Sequence, residues 1–284
     1  MKKIFIAALA LCAFVANAQK LDNSLLWKIS GNGLSKPSYL FGTVHITCDA
    51  TLNNNVKTAL DATNQLYLEL DMDDPNLQAE MMGGVMMKDG VTMTSLLSPE
   101  DFKIVDEFVK ANSGGMSLSM MNQFKPFVIS AMLMPKMLDC APQSVEQSLI
   151  DVAKQQNEET YGLETVLEQF SVFDAIPYKD QMEDLLKSAK DNMASDKAEY
   201  AKMMALYNSQ DLNKLLELMK ESENKTASYD DLLLVNRNKN WIPKIEQIAK
   251  EKPTFFGVGA AHLAGENGVI MLLRKKGYKV EAVR

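Results

Sequence analysis

Two segments at opposite ends of the chain share one design. Tyr39-Leu40-Phe41 runs into Gly42-Thr43-Val44-His45, and Phe255-Phe256-Gly257-Val258 runs into Gly259-Ala260-Ala261-His262. In both, an aromatic, apolar run meets glycine, and a histidine closes a Gly-x-x-His motif. The second run, bounded by Pro253 and glycine, has the pattern of a strand buried on both faces. Two such strands fit a sheet assembled from the two chain ends and covered by helices.

The flanking segments extend this expectation. Residues 25–30 and 38–46 read as strands joined by Gly31-Asn32-Gly33, whose residues tolerate the positive φ of a hairpin. A helix begins near Asn55, and Gln65 to Leu70 is a third strand candidate. From about 75 to 252 charges recur between apolar pairs, as in Asp101 to Lys110, Val145 to Gln156, Asp180 to Asn208 and Asp211 to Lys220. Ser98-Pro99-Glu100-Asp101 is a helix start, with a capping serine, proline in first position and early acids. After the late strand comes a helix from about Gly265 to Lys276, stopped by Gly277, and a strand from Tyr278 to Val283. Strand, helix and strand imply a right-handed crossover. The expected fold class is α/β (α+β): a mixed central sheet formed by the N- and C-terminal segments, with a large helical insertion at about 75–252.

Lys2 and Lys3, the apolar run Ile4 to Val15 and the small-x-small site Ala16-Asn17-Ala18 form a three-part secretory signal peptide over residues 1–18. The run falls short of the roughly 20 apolar residues that span a bilayer. Cleavage after Ala18 leaves residues 19–284, a length that one hydrophobic core serves, and no later segment reads as a transmembrane span. Losing Lys2 and Lys3 takes the formal charge from −7 to −9, which disfavours nucleic acid and anionic membranes as partners. The expected location is periplasmic or extracellular. Cys48 and Cys140 then remain, compatible with one disulfide or with two buried thiols. No Cys-x-x-Cys or Cys/His cluster supports a structural zinc site or thioredoxin-like chemistry. Eleven of the nineteen methionines fall between Met81 and Met137, a density that favours helical core filling over a binding groove.

His45 and His262 are the chain's only histidines. Strand carboxyl ends open onto the crevice where open α/β sheets bind ligands, and glycine allows close approach there. Imidazole suits divalent metal binding and proton exchange near neutral pH. Acids should accompany it. Glu69, set between leucines in Leu68-Glu69-Leu70, is costly to bury unpaired and needs a metal, arginine or histidine. Glu164 ends the short apolar segment Tyr161-Gly162-Leu163, with Gln169 about one helical turn on. Arg237, in Val235-Asn236-Arg237-Asn238, could clamp a carboxylate or steady an oxyanion, or pair with a helix carboxylate.

Taken in order, these motifs resemble the TraB/PrgY/GumN family, which includes the Tiki proteins. The resemblance rests on Gly42-Thr43-Val44-His45, Leu68-Glu69-Leu70, Leu163-Glu164-Thr165, Arg237-Asn238, Gly259-Ala260-Ala261-His262 and Gly277-Tyr278-Lys279-Val280. It implies a fold like that of the erythromycin esterase and ChaN-like group, and a metal-dependent, peptidase-like hydrolase in which His45, His262 and Glu69 hold a divalent ion such as Mn, Co or Zn. On this expectation Glu69 completes the site or activates water, Glu164 is a second acid or ligand and Arg237 stabilises the oxyanion, acting on a peptide or small-molecule substrate. The wider group also implies a metal-free esterase-like enzyme with His45 as general base, or a non-catalytic peptide- or haem-binding protein. No His-Glu-x-x-His occurs, so the chain is not an ordinary zincin.

Overall fold

A computed structural model describes residues 20–284; the proposed signal peptide lies outside the described residues. Six strands form one sheet: β1 (Leu26–Ser30), β2 (Ser38–Thr43), β3 (Leu66–Leu68), β4 (Thr160–Gly162), β5 (Phe255–Gly259) and β6 (Lys279–Ala282). Their order is β4-β3-β5-β2-β1-β6. β1 runs antiparallel to both its neighbours, while β4, β3, β5 and β2 pair in parallel. Because two reversals restore direction, β6 points the same way as β2. The sheet is mixed and helix-covered, as the sequence leads one to expect.

The hairpin forms as expected, with Gly31, Asn32 and Gly33 all at positive φ. β5 and β6 are joined through helix Val269–Lys275 and lie in the same direction, with β2 and β1 between them. The central strands are dry: Leu40, Leu66, Phe255, Phe256 and Val258 are fully buried and join Trp27, Trp241 and Leu149 in the main core. A second apolar cluster, around Met93, Val105, Leu118 and Met182, lies among the helices of the insertion. Met87, Met93, Met121, Met182 and Met193 are buried there, whereas Met82 and Met120 are among the exposed ones.

Three details differ from expectation. The insertion returns to the sheet at β4, a three-residue strand too short to show alternation, so the sheet is not built from the chain ends alone. Asp180 to Asn208 is two helices, Tyr178–Lys190 and Ala194–Asn208, parted by Asn192 and Met193 at φ 53° and 63°. β2 stops at Thr43, so His45 stands on the loop beyond it. That loop is bound to the insertion by a Cys48–Cys140 disulfide.

Candidate active site

With β2, β3, β4 and β5 parallel, their carboxyl ends share one edge of the sheet. Glu164 follows β4, Glu69 follows β3, His262 follows β5 and His45 follows β2, in the order in which the strands lie side by side. Backbone register carries the acids together: Leu163 N–H donates to Leu68 O at 2.8 Å, and Glu164 N–H to Glu69 O at 3.0 Å.

Arg237 reaches this edge from helix Asn236–Glu251. A π-helical turn, Asp231–Val235, precedes that helix, and Asn236 N–H donates to the Asp231 carbonyl five residues back. Such turns re-aim the side chains that follow and recur at functional sites. Here Arg237, Asn238 and Trp241 all face the strand ends.

The guanidinium commits its five N–H donors. Nη2 lies 2.5 Å from both Glu69 Oε2 and Glu164 Oε1, Nε is 3.1–3.2 Å from both oxygens of Glu164, and Nη1 serves Leu233 O and His262 Nε2, each at 3.1 Å. Its face lies 4.8 Å from the Trp241 ring, and Trp241 Nε1–H donates to Glu164 Oε2 at 3.1 Å. Gln169 Nε2 adds a bond to Glu164 at 3.1 Å, and Gly259 N–H donates to Glu69 Oε1 at 2.8 Å. Burial would raise the Glu69 carboxyl, but the positive charge available at His262, Arg237 and His45, with the Gly259 N–H, holds it at about 2. Glu69 is therefore an ionised, fully bonded carboxylate.

The hydrogen bonds of Asn238 identify the His262 tautomer. Asn238 Nδ2 donates to the carbonyls of His262 and Asn267, at 3.2 and 2.9 Å. Its Oδ1 is thus the acceptor 2.6 Å from His262 Nδ1, and Nδ1 carries the proton. The Nε2 lone pair is left facing Arg237 and lies 3.7 Å from Glu69 Oε1. Burial lowers the imidazole to about 3, so the ring is neutral at neutral pH.

His45 is different. Its Nδ1 stands 2.8 Å from Glu146 Oε1, a side chain only 7% exposed, while solvent reaches 65% of the imidazole. Glu146, the clearest functional candidate that sequence reasoning missed, raises His45 to about 9, against burial, with smaller support from Glu69 and opposition from Arg237. His45 and His262 also act on each other electrostatically, as do His45 and Glu69.

Among the described residues, no three His, Cys, Asp or Glu side chains converge closely enough to share an ion. The donor chemistry nonetheless fits one: both Nδ1 atoms face acceptors, the usual support of metal-binding imidazoles. Glu69 has both oxygens engaged, and the cation on it is Arg237. A cavity of about 380 Å³ reaches Glu164 and is lined by Leu70, Asp71, Asp74, Glu80 and Lys244. A larger one of about 580 Å³ lies between the His45 loop and Tyr200 and Tyr207, and touches none of the four strand-end groups.

The TraB/PrgY/gumN family model matches residues 25–282. The chain is 24% identical over 313 residues to metalloprotease TIKI1 of Danio rerio, covering 91% of this chain and 63% of that protein. It is 25% identical over 314 residues to metalloprotease TIKI2 of Xenopus tropicalis (91% and 60%) and 24% over 315 residues to metalloprotease TIKI1 of Homo sapiens (91% and 62%). It thus spans about three fifths of the length of these relatives. No solved structure matches it.

Proposed function

Because the chain belongs to the TraB/PrgY/gumN family, we propose that it is an exported, metal-dependent hydrolase of peptidase-like type, working at the carboxyl edge of its sheet. The observation that carries this reading is the pair of imidazoles backed at Nδ1, with ionised Glu69 and Arg237 at the same edge. Metalloprotease relatives over most of the chain support the reaction class.

On this reading His45, His262 and Glu69 are the residues that would hold a divalent ion. Such an ion, when bound, supplies Lewis acidity to a scissile carbonyl and to water. Asn238 keeps the His262 proton on Nδ1, so that the Nε2 lone pair points to the sheet edge, where Arg237 Nη1 now holds it and would have to give way to an ion. Arg237 keeps Glu69 ionised and bridges it to Glu164. Its Nη1, which now faces His262 Nε2, is the donor best placed to turn toward a developing oxyanion. Glu164 anchors Arg237 and borders the adjoining cavity, where a peptide or small-molecule substrate has room. The Cys48–Cys140 disulfide supports an oxidising compartment, hence export after removal of residues 1–18, with residues 19–284 acting as one unit.

Elemental analysis of the mature chain, beside H45A and H262A and a peptide-library assay, tests this. Each variant is expected to lose both the ion and hydrolysis. Full metal stoichiometry in H45A would sink the shared site.

A second reading also has an observation behind it. A carboxylate 2.8 Å behind a solvent-reached imidazole suits a metal-free esterase-like enzyme with His45 as general base, working on the alkaline side where His45, raised to about 9, has lost its proton. Hydrolysis that survives exhaustive chelation would select it.

A further inference from the structure

Resting on the hydrolase reading, which gives His45 a task but no support, we propose that Glu146 is the positioning residue of His45, and that the Cys48–Cys140 disulfide holds together the two segments that carry this pair.

Glu146 is a buried carboxylate in the first turn of helix Val145–Gln155. Among the described residues no lysine or arginine comes within 4.0 Å of it, and His45 is its one ion-pair partner. A buried carboxylate left without a partner is expensive, so its presence asks for a cationic or donating group opposite. Its second oxygen accepts from Ser144 Oγ at 2.9 Å, and Ser144 Oγ in turn caps the helix by accepting from Gln147 N–H. The helix N-terminus favours the negative charge. Oε1 makes no aligned hydrogen bond among the described residues and lies 2.8 Å from His45 Nδ1, so the ion-pair contact with that imidazole is what it has. Asn238 does the corresponding service for His262 with a neutral acceptor.

The segment that carries His45 is held on several sides. Tyr207 Oη donates to Gly42 O at 2.9 Å and Tyr200 Oη to Ile46 O at 2.8 Å, both from helix Ala194–Asn208. Thr47 and Gln143 exchange two backbone hydrogen bonds at 2.8–2.9 Å, and Ala50 N–H donates to Gln143 Oε1. The disulfide adds the covalent tie. It leaves from the third residue after His45 and arrives a few residues before Glu146, with the Thr47–Gln143 bridge between. Every connection joins the His45 loop to the approach of the Glu146 helix or to the helix behind it, so the imidazole is exposed while its backbone is not free to wander. A site accessible to substrate gains the orientation that an exposed loop would otherwise lack.

The test is long-range 1H–15N NMR of the mature chain and of E146Q, E146A and C48A/C140A, recorded where His45 is neutral. With only two imidazoles in the chain, two spin systems appear, and His262 reports on intactness of the fold. His45 is expected to hold its proton on Nδ1 in the wild type and E146Q. In E146A it should revert toward the Nε2–H form of free imidazole, and in C48A/C140A to a mixture, with His262 unmoved in all. Turnover should fall about 10–100-fold in E146A, with a smaller change in KM, and recover in E146Q. An unchanged His45 pattern in E146A would overturn the assignment. An inactive wild type that still shows the NMR response would overturn the hydrolase reading alone.

Discussion

Arg237 touches Glu69, Glu164 and His262 at once, so the consequences of changing it are those of uncovering two buried carboxylates. R237M is expected to lose about 3–5 kcal/mol of stability, the usual cost of breaking a buried pair from one side. R237K should recover only part of this, since an ammonium lacks the fork that spans both acids; urea midpoints of the three proteins check both statements. The histidines give the pH dependence opposite signs on its two limbs. His262 titrates near 3 when folded, below its ordinary 6.5. As pH falls below about 6.5 the unfolded chain gains a proton that the folded one refuses, and stability drops. His45 is raised to about 9, so its contribution is complete below about 6.5 and is lost as pH rises toward 9. Its 65% solvent contact makes that alkaline limb the shallower. In chelator-treated protein, H262N should flatten the acid limb of a stability profile and H45N the alkaline limb; identical profiles for both would contradict the assignment.

At the scale of elements, the site depends on how closely β4 approaches β3. A Cβ added at Gly162 would stand 2.7 Å from Asp71 N and 2.8 Å from Glu164 O. Both are backbone atoms that cannot rotate aside, so G162A should cost about 1–3 kcal/mol by overpacking and move Glu164 off Arg237. A combined loss of urea midpoint and of activity is expected; full activity would mean that Glu164 can be displaced without harm. The same elements show what could be read beforehand. Strands β1, β2, β5 and β6 announce themselves through apolar runs and glycine punctuation, and Glu69 through the cost of an acid among leucines. β4 does not, because three residues carry no period and its pairing with β3 is a long-range event. Glu146 escaped because an acid in a helix's first turn is ordinary for reasons of the helix dipole, and nothing local points it at a histidine a hundred residues away. The break at Asn192 and Met193 is equally silent, since charge periodicity continues on both sides of it.

For the molecule as a whole, the disulfide closes a loop with a sequence separation of 92. Reduction, or C48A/C140A, should lower stability by roughly 2–5 kcal/mol, measurable as a shift in urea midpoint between oxidised and reduced protein. A shift near zero would mean that the Thr47–Gln143 contacts already hold the loop. The strand order has a further consequence, in time. β5 lies between β3 and β2, yet it is made nearly two hundred residues after β3. Until it emerges, β3 and β2 have no common neighbour, and His262 does not yet exist. A growing chain therefore carries its acids and its first histidine for most of synthesis without any means of bringing them together. Residues 255–262 deliver the keystone strand and the second imidazole together, so a chain shortened before them should lack both the joined sheet and the cluster at its edge.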